Sequence, residues 1–215
     1  MVMHPLWEDT YWLILLQLYL KKPVGVKALY SRALVDVGME LHIPPTFLYQ
    51  QMFHIRRLDT PSMKMLWETY ATHPKRLAKE VGKLRTMCGF GQPDAFYEGV
   101  DIHETFESDF RPVSVSCPLT PTMLIMILDL YFRLTPITMV DETPEVVELS
   151  RLMGIDVQHV VAAMEAFQLC DPYLARPQQP HELLEPCRRV WNRYGNGNPE
   201  ELSSMAAQLS AYFKE

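Results

Sequence analysis

The sequence predicts an all-α protein of two related five-helix units, each with a helix-turn-helix-like core. Three observations carry that expectation. Apolar residues recur at three- and four-residue spacing along most of the chain. Strand patterns are scarce. One stretch also returns 112 positions later: LYLKKP at 18–23 becomes LYFRLT at 130–135. At that offset 13–57 aligns with 125–169 without a gap, and beyond it Trp67-x-x-Tyr70 returns as Trp191-x-x-Tyr194. Pro74-x-x-Leu77 returns as Pro199-x-x-Leu202, and Leu84 as Leu209. Only six of the 45 gap-free pairs are identical, so the later block carries more of the weight for a duplication.

In the first unit, 7–20 reads as an apolar helix, and Pro23 and Gly25 break the connection after it. A helix over about 31–41 places Leu34, Val37 and Leu41 on one face. HIPP (42–45) stops it, because residues before proline are pushed out of the helical region. Pro45 suits the first turn of a helix over about 45–58, whose inner stripe is Leu48, Met52 and Ile55. Helices over about 62–72 and 74–87 complete the unit, the last with Leu77, Val81 and Leu84 inward. The second unit repeats the order over about 121–133, 144–153, 156–168, 181–194 and 198–213. Expected boundaries are a basic unit at 1–88, a linker at 89–118 and an acidic unit at 119–215. The linker has no helical period and many acids. Its Phe96, Tyr97, Phe106 and Phe110 point to packing on a surface or to an arm that reaches a partner.

Composition bounds function. The 215 residues are 48% hydrophobic, enough for a real core. The longest apolar run, YWLILLQLYL (11–20), is about half a membrane span, so a core helix is expected and no membrane partner. MVMHPLWEDT lacks a signal-peptide pattern, and the four cysteines are widely spaced, so reduced thiols in the cytoplasm are expected. The net charge of −6 conceals a split: 1–88 carries +5 and 89–215 carries −11. A polyanion therefore stays open as a partner of the first half.

No catalytic or metal site is expected. The seven histidines are scattered, no HExxH or Cys/His cluster is present, and GFG at 89–91 is too short for a phosphate loop. No cofactor follows from the sequence, and the expectation is a non-enzyme. The paired Trp67/Tyr70 and Trp191/Tyr194 suit core packing.

The stretch LDLYFRLTPITMVDETPEVVELSRLMGIDVQHVVAAMEAFQLCDP (128–172) resembles the helical region preceding the nuclease domain of HNH-type restriction endonucleases. Leu130, Tyr131, Phe132, Pro144, Glu145, Leu149, Gly154, Phe167, Asp171 and Pro172 carry the likeness, and 16–59 shares it more faintly. The resemblance implies a region that helps grip DNA. It does not imply cleavage, since no histidine-rich ββα-metal segment is present.

In a helix-turn-helix the second helix meets base edges in the major groove. In the first unit Thr46, Gln50, His54 and Arg57 are expected to face outward from it. The matching face of the second unit is Gln158, Ala162, Ala166 and nearby Ala163. The alanines read no bases and suit packing against another helix, in the other unit or in a second copy. Lys75, Arg76, Lys79 and Lys83 form a basic stripe on the fifth helix, where the second unit has Glu200, Glu201, Ser204 and Gln208. Cations at a helix N-terminus oppose the macrodipole, and a broken local rule can mark a working surface. Three readings of that stripe stay open: a solvated face, phosphates of double-stranded DNA, or an acidic protein surface including a second copy.

Overall fold

The computed structural model describes residues 3–91, 106–174, 177 and 180–214. Residues 92–105 of the expected linker, with Phe96 and Tyr97, lie outside the described residues. The chain divides into two compact units, Met1–Glu104 and Thr105–Glu215. Among the described residues their regular structure is helical, apart from one isolated antiparallel bridge between Ser114 and Cys117. Among the described residues no helix is long and apolar enough to cross a membrane.

Unit one is organised on α1 (Trp12–Leu20), which buries Ile14, Leu15, Leu16 and Leu18. The helix starts later than its apolar pattern predicts. Glu8 is extended and Asp9–Tyr11 form a 3-10 turn, so Trp7 folds back edge-on to Trp12, with ring centroids 4.9 Å apart. Next come α2 (Arg32–Leu41) and α3 (Pro45–Arg57), separated by only His42, Ile43 and Pro44. The turn is tight because His42 takes the left-handed conformation at φ 55° and ends α2. Pro45 then opens α3, where a missing N–H costs nothing. Leu48, Met52 and Ile55 point inward as the spacing predicts.

In α4 (Pro61–Tyr70) the Thr60 hydroxyl accepts the Met63 N–H at 3.2 Å, a side-chain N-cap. α5 (Pro74–Arg85) buries Leu77, Val81 and Leu84, packs on α1 and α4, and is tied to α2 by the Arg85–Glu40 pair at 2.5 and 2.8 Å. α3 packs instead on α1 and α2.

Unit two begins earlier than expected. Phe106–Phe110, assigned by composition to the linker, form a 3-10 turn in which Glu107 is buried and Phe110 meets Tyr212 at 5.3 Å. Arg193 fixes the same turn through two hydrogen bonds to Asp109, at 2.9 and 3.1 Å. The centre is α6 (Pro121–Arg133), buried continuously from Thr122 to Leu128. Around it pack α7 (Pro144–Met153), α8 (Val157–Cys170), α9 (Leu184–Tyr194) and α10 (Pro199–Phe213).

The units share local features. α2 and α7 have equal length, and their left-handed caps, His42 and Gly154, lie 112 residues apart. The packings of α1 with α3, α2 with α3 and α1 with α5 have counterparts in α6 with α8, α7 with α8 and α6 with α10. They differ in the fourth helix: α4 packs on α5, whereas α9 packs on α8.

Candidate nucleic-acid interface

The turn between α2 and α3 sets the angle at which α3 is presented. Gly38 lies where a Cβ would come within 2.9 Å of the Ile43 carbonyl and 3.4 Å of the Pro45 ring. A glycine lets α2 and the turn meet at backbone distance. With its inner stripe buried, α3 turns Thr46, Gln50 and Arg57 to solvent. Phe53 lies half-buried on the same face, edge-on to Tyr49 with centroids 5.1 Å apart.

His54 does not share that freedom. Its Nδ1 pairs with the Asp59 carboxylate at 2.7 Å, and its ring stands edge-on to Trp12. The half-turn between outward and inward is where His54 falls on the helix, so spacing alone placed it too far out. The structure adds two cations that the sequence pattern did not single out, exposed Arg56 and Lys64 beside the α3–α4 corner. They become visible only when Leu58, left-handed at φ 50°, turns the chain sharply after α3.

The α5 stripe is exposed, yet its four cations are not equivalent. The Lys83 ammonium donates to Glu80 at 2.9 Å, and Arg76 lies over the Tyr70 ring at 5.3 Å from its centroid. Lys75 and Lys79 stand in solvent. Glu80 is held below the usual carboxylate range by the hydrogen bond from Lys83, helped by the charges of Lys83, Lys79 and Arg76. The N-termini of the paired helices also contrast as expected. Asn198 caps α10 by accepting the Glu200 N–H at 2.9 Å, and Glu200 and Glu201 fill its first turn. His73 provides α5 with no side-chain cap, and Lys75 and Arg76 occupy the first turn.

The alanines of unit two correct the sequence reading. Ala163 and Ala166 are fully buried, and Ala162 is half-buried. α9 lies across them, with the Cys187 thiol 3.8 Å from the Ala163 carbonyl oxygen. Ala163 and Ala166 are therefore packing residues inside unit two and cannot form a self-association face with Ala162. Burial, then the neighbouring Cys170 and Cys117, push the Cys187 thiol far up. Trp191 is buried among Tyr131, Phe132 and Phe167, as its core assignment predicts, whereas Trp67 is half-buried against Tyr19. All four cysteines are free. Among the described residues no group of three or more His, Cys, Asp and Glu side chains could hold a metal. No protein-family model, curated protein or solved structure matches the chain.

Proposed function

We propose that this chain is a non-enzymatic, cytoplasmic protein that binds double-stranded DNA through unit one. The carrying observation is the α2–turn–α3 arrangement, in which left-handed His42 and the close-packed Gly38 hold α3 so that Thr46, Gln50 and Arg57 face solvent. A short turn that presents the second helix is what a helix-turn-helix requires. Arg56, Arg57 and Lys64 supply charge for phosphates near one end of α3, and Lys75 and Lys79 supply it on α5. The likeness of 16–59 and 128–172 to the DNA-gripping region of HNH-type endonucleases points the same way. In this reading the units descend from one duplicated ancestor. Unit one keeps the contact surface, whereas the matching row of unit two carries Glu165 and no cation.

Fluorescence anisotropy with a labelled mixed-sequence duplex tests the proposal, at about 50 mM salt where phosphate contacts are strong. Binding is expected for the intact protein, weakened on the order of tenfold or more by Arg56→Glu with Arg57→Glu. Lys75→Glu with Arg76→Glu reports separately whether α5 takes part. Absence of binding by the intact protein overturns the proposal. In that event, sizing at low and high salt distinguishes a charge-driven self-associating module, whose assembly fades as ions screen it.

A further inference from the structure

We propose that the α3 face reads A·T base pairs in the major groove; this rests on the DNA-binding reading above. One row along α3 holds exposed Thr46, Gln50 and Arg57 with half-buried Phe53 between them. At about 1.5 Å rise per residue, Thr46 to Phe53 spans roughly 10 Å, the length of about three stacked base pairs. Arg57 lies about 6 Å further on, in the last turn of the helix. A recognition helix meets base edges mainly with its N-terminal residues, so the first three side chains are the readers and Arg57 reaches a phosphate.

Their chemistry is specific. The Gln50 carboxamide offers one donor and one acceptor side by side, which match the N7 acceptor and N6 donor of adenine. Phe53 has its ring on the exposed face and propped edge-on by Tyr49, and Thr46 brings a methyl group. Both are apolar partners for the thymine methyl, which no other base carries. No cation lies among the three, so the usual fork for guanine O6 and N7 is missing from the reading positions. Unit two has no such row. The corresponding residues are Gln158, Ala162, Glu165 and Leu169, and the Gln158 amide is spent on the Asp141 carboxylate at 2.8 Å.

The test compares alternating A·T and G·C duplexes with two altered A·T duplexes. One carries 7-deazaadenine, which lacks the N7 acceptor; the other carries uracil for thymine, which lacks the methyl. Preference for A·T over G·C is expected on the order of ten- to a hundredfold. Gln50→Ala should remove the loss caused by 7-deazaadenine. Phe53→Ala should shrink the loss caused by replacing thymine with uracil, and Phe53→Ala with Thr46→Ser should abolish it. Equal affinity for all four duplexes, or a preference for G·C, overturns A·T reading and leaves DNA binding standing. An A·T preference insensitive to both base changes also overturns it, because the protein would then be reading groove shape. Failure to bind any duplex removes both readings.

Discussion

Lys27 holds a nearly buried ammonium, at 9% exposure, and three N–H donors that need partners there. It donates to the Lys21 carbonyl at 2.5 Å and to the Pro23 carbonyl, closing the connection between α1 and α2. Lys27→Met keeps the apolar stem and removes the donors. A loss of about 1–3 kcal/mol is expected, since the Lys21 and Pro23 carbonyls lose a charge-assisted partner. Urea unfolding should show a lower midpoint at unchanged slope, and an unchanged midpoint would rule out the stapling role. Nothing in KKPVGVKAL distinguishes this lysine from Lys21 or Lys22, because burial is decided by how the loop folds back. His4 has a similar local history. Its Nδ1 accepts the Leu6 N–H at 3.3 Å and its ring lies 5.7 Å from Phe47, a setting that requires the neutral imidazole. Burial lowers its pKa below 6.5. The unfolded chain therefore takes up the proton more readily. The stability contributed is complete above 6.5 and is lost as pH falls through the lower folded value. An NMR titration of the His4 ring should give a midpoint below 6.5; one at or above it contradicts the burial.

The α2–turn–α3 element was the most legible part of the sequence. Proline positions and apolar spacing set both helices and the turn to within a residue or two. What spacing could not show is how closely the helices approach. Gly38 reads as a mild helix breaker, yet its place against the Ile43 carbonyl makes it a packing residue. Gly38→Ala gains up to about 1 kcal/mol in helix propensity, but the new methyl must displace backbone at 2.9 Å. Overpacking of that kind costs about 1–3 kcal/mol, so a net loss of stability is expected. The counterpart Ser150 sits buried in α7 with its hydroxyl donating to the Val147 carbonyl. A side chain is thus accommodated there, which makes Gly38 a feature of unit one. If Gly38→Ala unfolds at the same midpoint and binds duplex equally, α3 is not positioned by this contact. The early start expected for α1 failed for a related reason. The apolar pattern continues back only through Tyr11 and Trp7, with polar Glu8, Asp9 and Thr10 between them, and aromatic packing among Trp7, Trp12 and Phe47 turns the segment aside.

At the scale of the whole molecule, the charge split and the fourth helix of each unit make one argument. Charge was visible in the sequence as a count; which cations are available was not, because Lys83 has Glu80 beside it and Arg76 has Tyr70. Arg56, Arg57, Lys64, Lys75 and Lys79 are the exposed cations that the proposed DNA contact draws on. If all five met phosphates, the log–log dependence of affinity on salt would have a slope of roughly −4 to −5. A slope near −2 would confine the contact to one helix. Likewise the recurring residue pattern was legible, but the destination of α9 was not: spacing aligns Trp191 with Trp67 and cannot show that the helix carrying it covers α8. That covering packs Ala163 and Ala166 against α9, and the row of α8 that matches Thr46, Gln50, Phe53 and Arg57 is Gln158, Ala162, Glu165 and Leu169, with an acid and no cation. Each chain should therefore occupy one duplex. Titrating a short duplex of roughly one helical turn at concentrations far above the dissociation constant should give a break at one duplex per chain. A break at two would mean that unit two binds DNA as well, through a surface other than the buried alanines, and would overturn the division of roles between the units.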